Sequence, residues 1–362
     1  MNPGQFLMQR SALAGVQAVA AHSRHRFARH THEQYGIGVM RLGAQVSHSG
    51  RGQVEAGPGH VITVNPGEVH DGAPLGAATF NPHTLICTRM LARDPEAQVD
   101  RGFLAERLRR ALDLRERLYG RPFYRLVHAE ADGLPALVVD RFGDTVVVQA
   151  NSAGMDRLTP ALLEALDEVL SPAEVVLRND SPARGLEGLG GEVRVAKGAL
   201  DGPIRLEENG SIFFADPGAG QKTGWFYDQR DNRAAIAALA RGARVIDFYS
   251  YNGGFAVQCA KGGAASVVAV DRSEAALANG ARAAEANGVA GLCEFRRADA
   301  FEELERLAAA GERFGVVIAD PPAFVKSKKD LQAGTRAYRK MTRLAASITA
   351  PPFISGSSSS SG

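Results

Sequence analysis

Four aspartates in the last third of the chain share one context. Asp247, Asp271, Asp299 and Asp320 each stand at or just past the end of a short apolar run, in "ARVIDF", "SVVAVD", "CEFRRAD" and "FGVVIAD". Between the first two lie the paired glycines Gly253 and Gly254, which permit a tight loop where backbone approaches a ligand closely. An acid at the tip of the next strand can accept hydrogen bonds from both hydroxyls of a ribose. A single aspartate in such a place is commonly a turn or helix cap. Four in register on successive strands, with Pro321 and Pro322 after the last, describe instead the acid-lined rim of one pocket.

The rim excludes two nucleotide classes. A dinucleotide fingerprint requires G-x-G-x-x-G, which "YSYNGGFA" lacks. In "GAGQKTG", Gln221 separates Gly220 from Lys222, so the phosphate-loop spacing fails. A cationic nucleoside with no phosphate, such as S-adenosylmethionine, suits a cleft lined by acids.

The elements that must hold this rim follow from the periodicity. After residue 216 apolar strands alternate with helical stretches, the pattern of an α/β parallel sheet with crossover helices. Residues 101–215 read as a small α+β module. It opens with a helix whose apolar side is Leu104, Leu108, Leu112 and Leu118. Strands broken at Asp-Gly and Gly-Asp follow, then a helix over about 156–170, strands near 175–178 and 193–196, and a hairpin on Asn209-Gly210. The arginines between Arg107 and Arg125 are either phosphate-binding forks or the solvated face of that helix. Upstream, a strand is expected over 84–91. Residues 1–77 carry short apolar runs between Gly, Pro and Ser-Gly breaks, the sign of closely spaced antiparallel strands. Eight of the nine histidines precede residue 84.

Three of them, His30, His32 and His70, lie in "FARHTHEQYGIGV" and "NPGEVHDGAP", where neighbouring strands could bring imidazoles to one divalent metal. Their placing resembles a cupin barrel, but Gly36 and Ile37 stand where metal cupins carry a glutamate. The stretch looks more like the sugar-sensing half of AraC-type transcription regulators, which implies a small-molecule cup without metal. That likeness ends near residue 77, and no helix-turn-helix pair follows it.

From residue 78 to 355 the chain closely resembles the ribosomal RNA large-subunit cytosine-C5 methyltransferases that carry an amino-terminal PUA domain. The matching motifs are "YRLVHAEADGLPALVVDRFGD", "LRND", "EENG", "AGQKTGWFYDQRDNR", "DFYSYNGGFA", "VVAVDRS" and "DPPAFVKSKKD". The resemblance implies a Rossmann-like class I fold binding S-adenosylmethionine, with Asp247, Tyr249, Ser250, Gly253 and Gly254 around its methionine portion, Asp271 on the ribose and Asp299 on the adenine. It places Asp320, Pro321 and Pro322 facing the target base. Gln221, Lys222, Thr223, Asp228, Arg230 and Phe324 would line the cleft mouth. It makes 78–100 a PUA remnant and linker, 101–215 the α+β domain and 216–362 the methyltransferase domain, preceded by the cupin-like fragment 1–77.

In that family a cysteine thiolate attacks C6 of cytosine, which needs a thiol because a serine hydroxyl does not ionise near neutral pH. Here the corresponding stretch is "SITAPPFISGSSSSSG", with Ser358 near the cysteine's place and a serine-rich tail over 355–362. The expectation is a domain lacking its last two strands, with the donor pocket kept and C5 transfer absent or severely reduced. The other readings are a non-catalytic binder of S-adenosylmethionine or RNA, and a small-molecule sensor.

A charge of +2 on 362 residues selects no partner, and no apolar stretch approaches a membrane span. Three widely spaced cysteines, Cys87, Cys259 and Cys293, suggest neither a disulfide framework nor a zinc site. The expected setting is cytoplasmic, with large-subunit ribosomal RNA as partner; the sequence sets no oligomeric state.

Overall fold

The computed structural model describes residues 5–351 except 10–16, 23–25, 41, 42, 51, 75, 82, 83, 85, 87, 95, 219, 221, 222 and 326. Gln221, Lys222, Cys87, Ser358 and the tail 355–362 therefore lie outside the described residues. The chain divides into two compact units, 1–199 and 200–362.

The first unit begins with the antiparallel pairs that the Gly and Pro breaks require. β1 (Gln5–Gln9) pairs with β2 (Ala18–His22). β3 (Phe27–His30), β4 (Gly36–Val39), β5 (Gln45–Ser49), β6 (Gly52–Ala56), β7 (Val61–Val64) and β8 (His70–Pro74) follow. They make a four-stranded sheet in the order β3-β8-β5-β6 and a separate β4-β7 pair. These strands bury little: Ile37, Val39 and Val61 remain exposed.

β9 (Ala77–Phe80) and β10 (Thr88–Ala92) form the next hairpin. The strand expected over 84–91 is shorter than read. Thr84 turns its hydroxyl onto the carbonyls of Asn81 and Ile86, a local turn that delays the strand to Thr88.

Then comes a module of α1 (Arg101–Leu118), β11 (Phe123–His128), β12 (Leu137–Phe142), β13 (Thr145–Ala150), α2 (Ala153–Arg157), α3 (Thr159–Leu170), β14 (Glu174–Asn179), α4 (Pro182–Leu186) and β15 (Glu192–Lys197). Its sheet runs β11-β12-β13-β14-β15. Only β13 and β14 are parallel, as the α3 crossover demands. Leu104, Leu108, Leu162 and Leu166 pack onto Val146, Val148 and Leu177 in one core. Leu118 departs from the expected apolar face and is exposed. It is the last helical residue, and Tyr119, stacked on Tyr124 at 5.7 Å, closes the contact instead. The arginine run proves largely paired: Arg109 with Glu168, Arg110 with Glu106, Arg117 with Asp113, and Arg115 in a fork on Asp132 at 2.5 and 2.7 Å.

The second unit opens with the hairpin β16 (Ile204–Glu208) and β17 (Ser211–Ala215), which the sequence reading grouped with the module before it. Asn209 and Gly210 turn it in left-handed conformations, φ 50° and 72°. After α5 (Arg230–Leu239) come β18 (Arg244–Phe248), α6 (Gly254–Lys261), β19 (Ser266–Asp271), α7 (Glu274–Ala286), β20 (Cys293–Arg297), α8 (Ala300–Ala309), β21 (Val316–Ala319) and α9 (Leu331–Ile348). All four strands are parallel in the order β20-β19-β18-β21. The order in which strands are added reverses at β18, with β19 on one side and β21 on the other, so a crevice opens at their carboxyl ends. After α9 the chain returns to the sheet, Thr349 bridging Phe314 in parallel.

A buried ion pair ties the hairpin to this sheet. Glu208, fully buried, accepts from Arg233 Nη1 at 2.6 Å, from Trp225 Nε1 at 3.1 Å and from Arg230 Nε at 3.4 Å. Gln258 of α6 donates to the Glu208 carbonyl at 2.9 Å. The Arg233 guanidinium lies over the Trp225 ring at 4.3 Å. Removing one partner leaves a buried charge uncompensated, which typically costs 3–5 kcal/mol. Arg233→Met should therefore lower stability in urea unfolding by roughly 3–5 kcal/mol. Adding Glu208→Gln should recover part of that loss. A single variant within about 1 kcal/mol of the parent, the size of a surface pair, would show that this clamp does not hold the fold.

Candidate active site

The loop after β18 departs from ordinary backbone. Tyr249 (φ 61°), Tyr251 (φ 52°) and Gly253 (φ 73°) all sit in the left-handed region, which costs a non-glycine residue roughly 1–2 kcal/mol. Gly254 starts α6 so close to the clamp that an added Cβ would stand 2.6 Å from Arg233 Nε and 3.2 Å from the Trp225 ring. Glycine is needed there for space.

Three aspartates hold this loop and its neighbours. Asp247, second-to-last in β18 and 1% exposed, accepts from Ser250 Oγ at 2.7 Å. Burial pushes its carboxyl up to about 7; the bonds from Ser250 and the Ala256 N–H and the charge of Arg233 oppose this, while nearby Asp320 adds to it. Asp271 ends β19 and accepts from two backbone groups, Tyr251 N at 2.9 Å and Ser273 N at 2.8 Å. Asp299 caps α8, its Oδ1 accepting from Phe301 N at 2.9 Å and Glu302 N at 3.3 Å, and its Oδ2 lies 3.9 Å from Arg272. The Tyr249 phenol is held above its ordinary value by burial and then by Asp299 and Asp271, while Arg272 opposes the rise.

Asp320 follows β21, beyond the switch point, and accepts from Gln229 Nε2 at 3.0 Å. The segment 223–230 is thereby joined to this end of the sheet. Tyr251 Oη and Asn252 Nδ2 both donate to the Gly224 carbonyl, at 3.2 and 3.4 Å. Pro321 is half-buried and Pro322 exposed. Phe324 packs on Tyr338 and Phe301 with ring centroids 4.7 and 5.9 Å apart, and its N–H donates to Tyr338 Oη.

Of the mouth residues expected from sequence, Thr223 is fully buried, Asp228 is exposed and Arg230 turns inward to Glu208. Glu208, Arg233, Trp225 and Gln229 carry the wall, although the sequence reading gave them no individual role. Their motifs were visible in "EENG" and "GWFYDQRDNR", but no spacing rule pairs residues so far apart in the chain.

The groups gathered here are mostly acceptors. They comprise the carboxylates of Asp247, Asp271 and Asp299 and the buried Asn252 Oδ1, which has no partner among the described residues. Such a set fits a ligand rich in donors and positive charge. Neither described thiol is at the rim. Cys259 lies inside α6, with its thiol pushed up to about 12, chiefly by burial. Cys293 starts β20, at the strand end remote from Asp299, and burial pushes it up to about 11.

Fold and site define a class I S-adenosylmethionine-dependent methyltransferase, and comparison with known proteins agrees. The S-adenosylmethionine-dependent methyltransferase model matches residues 193–353, and the AraC-like ligand binding domain model matches 14–97. Ribosomal RNA large subunit methyltransferase I of Cronobacter sakazakii is 35% identical over 309 residues, covering 83% of this chain and 76% of that protein. The Photobacterium profundum protein of the same name is 38% identical over 298 residues, covering 79% and 74%. A Streptococcus mutans structure described as a SAM-dependent methyltransferase shares the fold, with a TM-score of 0.65 at 20% identity over 77% of this chain and 72% of its own. The chain belongs to the ribosomal RNA large subunit methyltransferase I family, and S-adenosylmethionine is its cofactor. Among the described residues, no helix is long and apolar enough to cross a membrane.

Folded, Asp247 takes up its proton near pH 7 rather than 3.8. The stability it contributes is complete below about pH 4 and is lost as pH rises through 7. Asp247→Asn keeps an acceptor for Ser250 and never ionises. Its melting temperature relative to the parent should climb between pH 4 and 7 and then level off. A constant difference from pH 4 to 8 in thermal unfolding would mean that Asp247 titrates normally.

Proposed function

We propose that the 200–362 unit binds S-adenosylmethionine at the strand rim and that the chain acts on large-subunit ribosomal RNA, at cytosine C5. The observation that carries this reading is the set of Asp247, Asp271, Asp299 and Asp320 at the carboxyl ends of four parallel strands in the order β20-β19-β18-β21. The bound donor supplies a methyl group on a positively charged sulfonium.

In this reading the loop from Asp247 through Tyr249 and Ser250 to Gly253 and Gly254 takes the methionine portion. Its ammonium would favour the ionised form of Asp247, so donor binding releases a proton near neutral pH. Asp271 accepts from the ribose hydroxyls while its backbone bonds keep the loop closed. Asp299 keeps one oxygen on the α8 cap and offers the other to the adenine. Asp320, Pro321 and Pro322 face the target base, with Phe324, Thr223, Asp228 and Arg230 around the mouth. Gln221 and Lys222, outside the described residues, belong to the same segment.

The C5 step needs a nucleophile on C6. With serine at 358, near where the family carries cysteine, transfer is proposed to be absent or far slower than in the relatives. The donor pocket does not depend on that residue.

Two measurements separate the parts of this proposal. Asp271→Ala should weaken binding of labelled S-adenosylmethionine roughly 10- to 150-fold, the worth of hydrogen bonds to a charged group at 1.5–3 kcal/mol; unchanged affinity would remove the pocket. Methyl transfer to unmodified large-subunit RNA should be well below that of the Cronobacter protein and should rise with Ser358→Cys. Transfer by the parent at the relative's rate would overturn the account of the nucleophile and leave the pocket standing.

A further inference from the structure

On α1 the arginines Arg109, Arg110, Arg115 and Arg117 are each paired with a carboxylate. The last helix of the second unit is different. Between residues 326 and 343 the sequence carries seven basic residues and one acid, Asp330, in a chain whose net charge is +2. Arg339, Lys340 and Arg343 of α9 stand three, four and seven residues past Arg336, the spacing of one helical stripe. All four are exposed, as are Lys328 and Lys329 just before the helix. Lys340 meets Glu305 of α8 at 2.7 Å, whereas among the described residues Arg336, Arg339 and Arg343 meet no carboxylate.

The opposite side of α9 decides where this stripe lies. Gly334, Met341 and Ile348 are buried at seven-residue spacing, and Met341 and Ile348 pack in one core with Phe248, Leu304 and Phe314. Arg339 and Arg343 are each two positions from Met341, which turns them about 160° away from the buried face. The amino-terminal half of the helix is pressed onto the segment that follows Asp320. A Cβ on Gly334 would stand 2.5 Å from Val325 Cγ2 and 2.8 Å from the Phe324 carbonyl oxygen. Tyr338 Oη accepts the Phe324 N–H at 3.2 Å. Arg336 lies between Gly334 and Tyr338 in the chain and Arg339 follows at once. The cations therefore begin on the turn of helix that holds the segment running on from Asp320, Pro321 and Pro322.

Like charges three and four residues apart destabilise a helix, and the stripe contains four such neighbours: 336 with 339 and 340, and 343 with 339 and 340. A bound polyanion removes that cost. Guanidinium forks match phosphate oxygens in pairs. An anionic membrane would call for an apolar face beside the cations, and α9 has turned its own into the core. We propose that the solvent face of α9, from Arg336 to Arg343 with Lys328 and Lys329 at its start, binds the phosphate backbone of the RNA beside the nucleotide that enters the rim. This rests on the reading of the chain as a ribosomal RNA methyltransferase and adds where the strand lies. The stripe runs about 10 Å along the helix, so separate guanidiniums meet separate phosphates. Such contacts fix the register of the strand and read no base.

The test is filter binding of labelled large-subunit RNA to the full chain over a series of salt concentrations. The triple variant Arg336→Gln/Arg339→Gln/Arg343→Gln should bind roughly tenfold or more weakly at low salt. Its slope of log affinity against log salt should be shallower by about 2–3, the share of three phosphate contacts. An unrelated RNA of equal length should lose as much, because backbone contacts carry no sequence. Circular dichroism should be unchanged, since all three side chains are exposed. Arg109→Gln/Arg110→Gln/Arg117→Gln removes the same charge from arginines already paired and should bind RNA as the parent does. Equal loss in the two variants, or parental affinity and slope in the α9 variant, would overturn the surface and leave the methyltransferase reading standing. No RNA binding by the parent, with or without retention on anionic lipid vesicles, would overturn both.

Discussion

The loop at the strand rim stands on one desolvated ion pair. Glu208 and Arg233 are both buried, one on the β16–β17 hairpin and the other on α5. Their attraction is useful only because other bonds complete it: the Trp225 indole and Arg230 on the carboxylate, the Phe226 carbonyl on Arg233 Nη2 at 3.0 Å, and the Trp225 ring over the guanidinium. Gly254 is pressed against this guanidinium, so the pair also fixes where α6 begins. The left-handed residues Tyr249 and Tyr251 are then held from both ends, by α6 on one side and by Asp271 on the Tyr251 N–H. A loop of that conformation persists only when its surroundings determine it.

Placing acids on neighbouring strand tips raises a problem of repulsion, and each is relieved differently. Asp247 is buried deeply enough to hold its proton up to about pH 7. Asp271 spends its charge on two backbone N–H groups, and Asp299 spends its own on the first turn of α8. Asp320 is exposed and bonded to Gln229. A cationic ligand entering this rim meets acceptors already oriented by the fold, so little reorganisation is left to oppose binding.

The strand tips were legible in the sequence because an apolar run ending in aspartate before a glycine pair is a local pattern. The Asn209-Gly210 hairpin was legible for the same reason. The clamp was not, since Glu208 and Arg233 are partners only after the hairpin folds back, and "EENG" alone does not say which glutamate turns inward. Arg230 looked like a mouth residue and turned inward, while Gln229 beside it reached Asp320. Arg109 and Arg115 of α1 stayed ambiguous because their partners, Glu168 and Asp132, lie well beyond the helix in sequence. Reading the next strand from Thr84 failed because a hydroxyl-to-carbonyl turn carries no apolar signature.

The amino-terminal boundary follows from packing. The AraC-like match runs to residue 97, past the point near 77 where the histidine-rich pattern fades. The residues between are shared. Leu91 of β10 belongs to the same core as Leu104 and Leu108, Asn81 donates to the Glu187 carboxylate at 2.8 Å, and Arg89 reaches both Glu130 and Glu187. Glu187 also accepts from Ala153 N, so one buried carboxylate joins the hairpin, α2 and the turn after α4. A cut at 77 would leave those bonds intact, whereas a cut at 92 would strip Leu91 from a fully buried position and leave Glu187 without Asn81 or Arg89. The β9–β10 hairpin therefore has to be counted with the α+β module in energetic terms, whichever sequence pattern it continues.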